Sequence, residues 1–178
     1  MQKFRDKYRI PSARLRGWDY GSPGLYFVTI CTKDRNHYFG EIVVESHGNA
    51  TLQKTEIGLV AEDHWKKIPA HFPFVVLDEF VIMQDHIHGI LLLNNPEHTI
   101  WQPNRFAPQS KNIPSIIRGY KASVTKFATM YQIPFAWQPR YFDRIIRTEK
   151  ELNNIRRYII NNPAQWKEDS ILPENLMI

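Results

Sequence analysis

Apolar residues fall in short runs separated by glycine, proline and polar turns, and each run has a readable period. Residues 24–32, rich in aromatic and β-branched side chains, predict a strand. Residues 41–44 and 50–52 predict a hairpin around Ser46-His47-Gly48-Asn49. Residues 55–68 carry Ile57, Val60, Ala61, His64, Trp65 and Ile68 at helical spacing. Two further strands, 74–82 and 86–93, lie close enough to pair antiparallel around Gln84-Asp85. Residues 94–114 are polar, proline-containing and weakly patterned, which predicts a loop that orders on its ligand. Pro114 suits the first turn of a helix whose stripe is Ile117, Tyr120, Val124, Phe127 and Tyr131. Residues 135–138 predict an edge strand. A last helix opens on Thr148 as N-cap, with Glu151 placed to reach back, and stops before Pro163. Its buried stripe is Leu152, Ile155 and Ile159.

Helices alternating with antiparallel strands predict an α+β domain, a ferredoxin-like two-layer sandwich with helices packed on an antiparallel sheet. At 178 residues the chain suits one domain: a basic arm over 1–20, the folded unit over 21–166 and a tail over 167–178. No apolar run approaches the roughly 20 residues that span a bilayer. Cys31 is the single cysteine, so an internal disulfide is excluded and a reducing, cytoplasmic setting is the simpler expectation.

The net charge of +5 conceals an asymmetry. Residues 41–100 hold nine acids against Lys54, Lys66 and Lys67; residues 101–147 hold eight bases against Asp143 alone. A one-sided basic surface suits a polyanion, and a solvated helix face accounts for the charge equally well.

His86 and His88 stand two residues apart in a run otherwise apolar, so they share one face of a strand. Buried imidazoles need partners, and the pair reads either as two metal ligands or as two hydrogen-bonded core histidines. On the last helix Tyr158 and Asn162 are four residues apart and share a face. If that helix crosses the sheet near the histidines, the Asn162 amide oxygen becomes a third ligand and the Tyr158 oxygen a nucleophile. A metal held this way keeps positions open for a phosphate oxygen. Tyrosine attack on a phosphodiester conserves bond energy for rejoining. Taken alone, a helix-end tyrosine is more often a packing residue, and asparagine before proline a helix stop.

Several motifs together are similar to those of one family: residues 15–32, Tyr38-Phe39-Gly40, the M-x-x-H-I-H-G-I segment at 83–90, residues 119–126, and residues 137–147 through Tyr158-Ile159-Ile160-Asn161-Asn162-Pro163. They resemble the REP-associated tyrosine transposases of the HUH single-strand nuclease superfamily. The resemblance implies His86, His88 and Asn162 as ligands of Mg²⁺ or Mn²⁺ and Tyr158 as the catalytic nucleophile. It further implies single-stranded or hairpin DNA as partner, a 5′-phosphotyrosine and, as in insertion-sequence relatives, a homodimer. In the family the histidine pair commonly follows Pro-Asn, whereas Gln84-Asp85 stands here. Asp85 is expected to point away from the histidines, and the departure leaves a cleavage-deficient hairpin-binding protein as an alternative. A water-using phosphodiester hydrolase is the second. Tyr141 lacks an amide one turn later and ranks below Tyr158.

Arg118, Lys121, Arg140, Arg144 and Arg147 are candidate phosphate contacts. Trp137, Trp101 and Phe106 are candidate stacking platforms, with Trp137 equally suited to the core.

Overall fold

The computed structural model describes residues 15, 17–44, 50–103 and 110–165, together with the backbone at 3–4 and 7–8. The turn expected at 46–49, Phe106, most of the basic arm and the tail lie outside the described residues. Within the arm, β1 (Lys3–Phe4) pairs antiparallel with β2 (Lys7–Tyr8).

β3 (Gly24–Cys31) leads to the hairpin of β4 (Gly40–Val44) and β5 (Ala50–Lys54). Thr55 then caps α1 (Glu56–Lys66), its hydroxyl accepting from the Gly58 amide, and the short α2 (Ile68–His71) follows. β6 (Val75–Ile82) and β7 (His86–Leu93) form the expected antiparallel pair. Asn112 and Ser115 make a reciprocal capping box at the start of α3 (Ile113–Met130). β8 (Phe142–Ile146) and α4 (Glu149–Asn161) complete the chain.

The main sheet runs β6-β7-β3-β8, all neighbours antiparallel. This is the ferredoxin-like order, with the β4–β5 hairpin inserted ahead of the first helix. Strand parity divides the core. Tyr26, Val28 and Ile30 of β3, with Ile87, Leu91 and Leu93 of β7, join Trp65 of α1 and Ile117, Tyr120 and Val124 of α3 in the larger cluster. The opposite parity, Phe27 and Ile90, meets Ile155 and Ile159 of α4 in a smaller cluster. The two expected layers are therefore the sheet and α1/α3, and α4 covers the other face. Gly89 is needed for this packing: a Cβ there would lie 2.3 Å from a ring carbon of Trp65.

Three local expectations change. The edge strand is β8, not 135–138, which contributes one isolated bridge, Thr32 to Trp137. Polar and charged residues hid β8, because Asp143 and Arg144 interrupt its apolar run. Glu151 does not close a box onto its own cap; its carboxylate takes the Arg147 amide and the Arg144 side chain instead. Tyr131 is the C-cap of α3 and is 58% exposed, outside the buried stripe.

Candidate active site

His86 and His88 project from β7 on the α4 side, and both are buried. Their ring centroids lie 4.4 Å apart. The register sets Thr29 of β3 directly opposite His88, and Thr29 Oγ1 lies 2.8 Å from His88 Nδ1. Tyr158 of α4 reaches the other ring nitrogen, with its hydroxyl 3.1 Å from His88 Nε2. Phe27, on the same face, stacks on His88 and meets the Tyr158 ring edge-on, at 5.4 and 6.4 Å between centroids.

Burial first, and then the electrostatic influence of neighbouring His86 and Arg35, hold His88 well below the usual imidazole pKa. The ring is therefore neutral at neutral pH. The assignment consistent with these contacts has Nδ1–H donating to Thr29 and Nε2 accepting from the Tyr158 hydroxyl.

His86 is supported differently. Its Nδ1 lies 2.7 Å from Asp85 Oδ1, and Asp85 Oδ2 takes Arg35 Nε at 2.7 Å. This corrects the expectation that Asp85 points away from the histidines. Asp85 sits in the turn before β7, where strand alternation does not yet apply, and its carbonyl accepts from the amide and hydroxyl of Thr32. Gln84 beside it donates to Glu41 Oε2 at 2.6 Å.

α4 is fixed on the sheet by charge as well as by Ile155 and Ile159. Arg156 grips Asp78 with two nitrogens, at 2.8 and 2.5 Å, next to the irregularity between Leu77 and Phe80 where β6 shifts register. At the opposite end Arg144 Nε meets Glu151 Oε1 at 2.5 Å. Asn162 follows Tyr158 by one turn, keeps helical angles and is fully buried, so its amide is carried on the face that presents the phenol.

Of the candidate ligands and nucleophile, His86, His88 and Tyr158 converge, and Asn162 lies one turn beyond. Among the described residues no group of three or more His, Cys, Asp or Glu side chains is placed to hold a metal. A third donor to any cation at this site would be of another type. Two imidazoles whose Nδ1 atoms are held by other side chains, plus a buried amide oxygen, form a donor set suited to a divalent cation.

The candidate DNA contacts divide. Lys121 donates to the carbonyls of Gln138 and Arg140 and lies over the Trp137 ring, and burial lowers its pKa. Trp137 donates Nε1–H to the Lys121 carbonyl and packs against Phe39, Phe135 and Tyr120, so it serves the core reading. The 136–138 segment borders the Cys31 end of β3, next to His86, which brings exposed Arg140 toward that end of the sheet. Exposed Arg118 lies one turn before Lys121 on α3. Arg144 and exposed Arg147 stand at the far end, before α4, about 15 Å along the helix from Tyr158. Trp101 is 56% exposed, while Tyr141 is half-buried against the larger core.

Sequence reading missed Thr29 and Arg35. Pairing the two strongest strands in register would have found Thr29; Arg35 comes from a 3₁₀ turn with left-handed backbone angles, which nothing in its neighbours announces.

No family model matches the chain. A Haemophilus influenzae protein of uncharacterised function is 38% identical over 169 residues, 90% of this chain and 91% of the relative. Another from the same organism, named as a candidate REP-associated tyrosine transposase, is 28% identical over 83% of this chain and 74% of its own length. A solved REP-associated tyrosine transposase bound to a REP hairpin superposes with a TM-score of 0.53 at 18% identity, covering 93% of this chain and 74% of that one. The chain has the REP-associated tyrosine transposase fold. It shares that fold with a protein solved on a DNA hairpin, and the second of the two relatives is named as a candidate of the same kind. Among the described residues no helix is long and apolar enough to cross a membrane.

Proposed function

We propose that this protein is a metal-dependent transposase that cleaves and rejoins single-stranded DNA at hairpin sequences, with Tyr158 as nucleophile. The observation that carries the reading is the 3.1 Å contact between the Tyr158 hydroxyl and His88 Nε2, made across 70 residues of sequence. A phenol used only for packing has no need of a strand that also carries a second buried imidazole.

His86, His88 and Asn162 would hold Mg²⁺ or Mn²⁺, which supplies a Lewis acid for a phosphate oxygen when bound. The chain's own residues set the remainder. α4 holds the phenol at the site, and Phe27 walls it from one side. In the transfer, the Tyr158 hydroxyl would lose its proton as its oxygen bonds to phosphorus, the bond from phosphorus to the 3′ oxygen would break, and that oxygen would take up a proton as a free hydroxyl. The DNA keeps a 5′-phosphotyrosine, and rejoining reverses the exchange.

The DNA path is read from charge. Arg140 lies toward the His86 end, and Arg144 and Arg147 at the start of α4, so a strand laid along α4 would meet cations on both sides of Tyr158. Exposed Arg118, one turn before the Lys121 that holds the Arg140 carbonyl, adds a further cation. Phosphate contacts of this type position the strand without reading its sequence.

The test is incubation of the wild type and Tyr158→Phe with labelled single strands that fold as hairpins, with Mn²⁺ supplied. A covalent protein–DNA band from the wild type alone supports transfer. Binding without a band from either protein would leave a hairpin-binding protein, and cleavage surviving in Tyr158→Phe would make water the nucleophile.

A further inference from the structure

The two imidazoles have unequal supports. His88 Nδ1 rests on a neutral hydroxyl, and its Nε2 is shared with a phenol. His86 Nδ1 rests on a carboxylate that is only 3% exposed and is itself paired with a guanidinium.

The proton on His86 can be located from the contacts. Asp85 Oδ1 lies 2.7 Å from Nδ1 and Arg35 Nη2 3.4 Å from it. An ionised carboxylate only accepts, and a guanidinium only donates. The short contact belongs to a real hydrogen bond and the long one lies at the limit, so Nδ1 carries the proton and Asp85 accepts it. The neutral ring then has its lone pair on Nε2, the buried atom on the other side of the ring.

The support is built into the fold. Arg35 reaches Asp85 from a 3₁₀ turn in which Asp34 and Arg35 hold φ of 53° and 57°, a region costly for residues with side chains. The Arg35 Nη1 group also donates to Cys31 Sγ at 3.1 Å, on the residue paired with His86 in the sheet. Thr32 ties the turn to the Asp85 carbonyl through its amide and hydroxyl, both at 2.9 Å.

We propose that Asp85, charge-balanced by Arg35, is a positioning residue that locks His86 in its Nδ1–H tautomer and makes Nε2 the stronger imidazole donor to a divalent cation. This rests on the metal-dependent reading above. A carboxylate behind an imidazole raises its basicity as a ligand, and a hydroxyl does so less. Arg35, 2.7 Å from Asp85 Oδ2, gives the buried carboxylate an opposite charge as partner. His86 would then be the anchoring ligand, and His88, whose Nε2 now meets the Tyr158 hydroxyl, the weaker one.

The test has two arms on the full chain. Long-range ¹H–¹⁵N NMR on the metal-free protein reads the His86 tautomer, and calorimetric titration with Mn²⁺ alone reads affinity. The wild type is expected to show Nδ1–H. Asp85→Asn, which retains an acceptor, should keep that tautomer and bind Mn²⁺ about ten- to a hundredfold more weakly. Asp85→Ala should populate both tautomers and bind more weakly still. Thr29→Val should lose less affinity than Asp85→Asn. If Asp85→Ala does not fold by circular dichroism, Asp85→Asn against Thr29→Val carries the comparison.

Wild-type affinity in both Asp85 variants, an unchanged tautomer in folded Asp85→Ala, or a greater loss in Thr29→Val would overturn the proposal. A wild type that binds no Mn²⁺ would overturn the proposed function and the ligand role with it. The NMR arm would still decide whether Asp85 fixes the ring.

Discussion

One strand serves two faces that could hardly differ more. Odd positions of β7, Ile87, Leu91 and Leu93, point into a dry core with α1 and α3. Even positions 86 and 88 point toward α4 and carry imidazoles, met by a phenol, a hydroxyl and a carboxylate. The first face stabilises through area removed from water, at roughly 25 cal/mol per Å². The second gives buried space to polar groups, tolerable because these groups pair with one another. The packed core and the candidate site are thus separated by parity along eight residues, with Gly89 between them so that Trp65 can back the histidine strand.

That separation can be broken on either side. The largest effect belongs to Tyr158→Phe, which should abolish the covalent adduct on labelled hairpin DNA while changing the stability by only about 1 kcal/mol, the scale of one hydrogen bond. Leu91→Ala should do the reverse. Chemical denaturation should show a loss of about 2–5 kcal/mol, with unchanged adduct yield per folded molecule. Gly89→Ala tests the seam between the faces. Its methyl would meet the buried indole, and overpacking of that kind costs about 1–3 kcal/mol, read as a lowered melting temperature.

The smallest effect concerns the tether of α4. The Arg156 hydrogen bond holds the Asp78 carboxyl below its ordinary value of 3.8, against the opposing effect of burial. The folded state therefore binds the proton less well than the unfolded state. The stabilisation is present in full above the unfolded value and is lost as pH falls through the lowered folded one. Both side chains are partly exposed, at 39% and 19%, so Asp78→Asn should cost no more than about 1 kcal/mol. The loss should be seen at neutral pH, and the two proteins' melting temperatures should converge below pH 3.8.

The core was legible in the sequence because it obeys period. The strands at 24–32 and 86–93, the helix after Thr55 and the cap at Thr148 all repeat apolar residues at fixed spacing. β8 was not, since Asp143 and Arg144 sit where an edge strand tolerates polar side chains and period fails. The site divides in the same way. His86 and His88 stand out against an apolar run, and Tyr158 and Asn162 by helical spacing. Arg35 and Asp85 belong to turns, where side-chain direction follows individual backbone angles and no alternation rule places them. Lys121 and Trp137 show the converse: their residue types suggested DNA, and their hydrogen bonds go to carbonyls of the fold.

The double tether of α4 has a consequence for the substrate. With Arg156 on Asp78 and Glu151 on Arg144, the helix is braced against rolling about its own axis. Under the proposed function the phenolic oxygen would approach from a single direction, and attack in line would require the departing 3′ oxygen to lie opposite it. A strand threaded with reversed polarity would put the wrong oxygen there, so the bracing of one helix would act as a filter on 5′-to-3′ sense before any base is read.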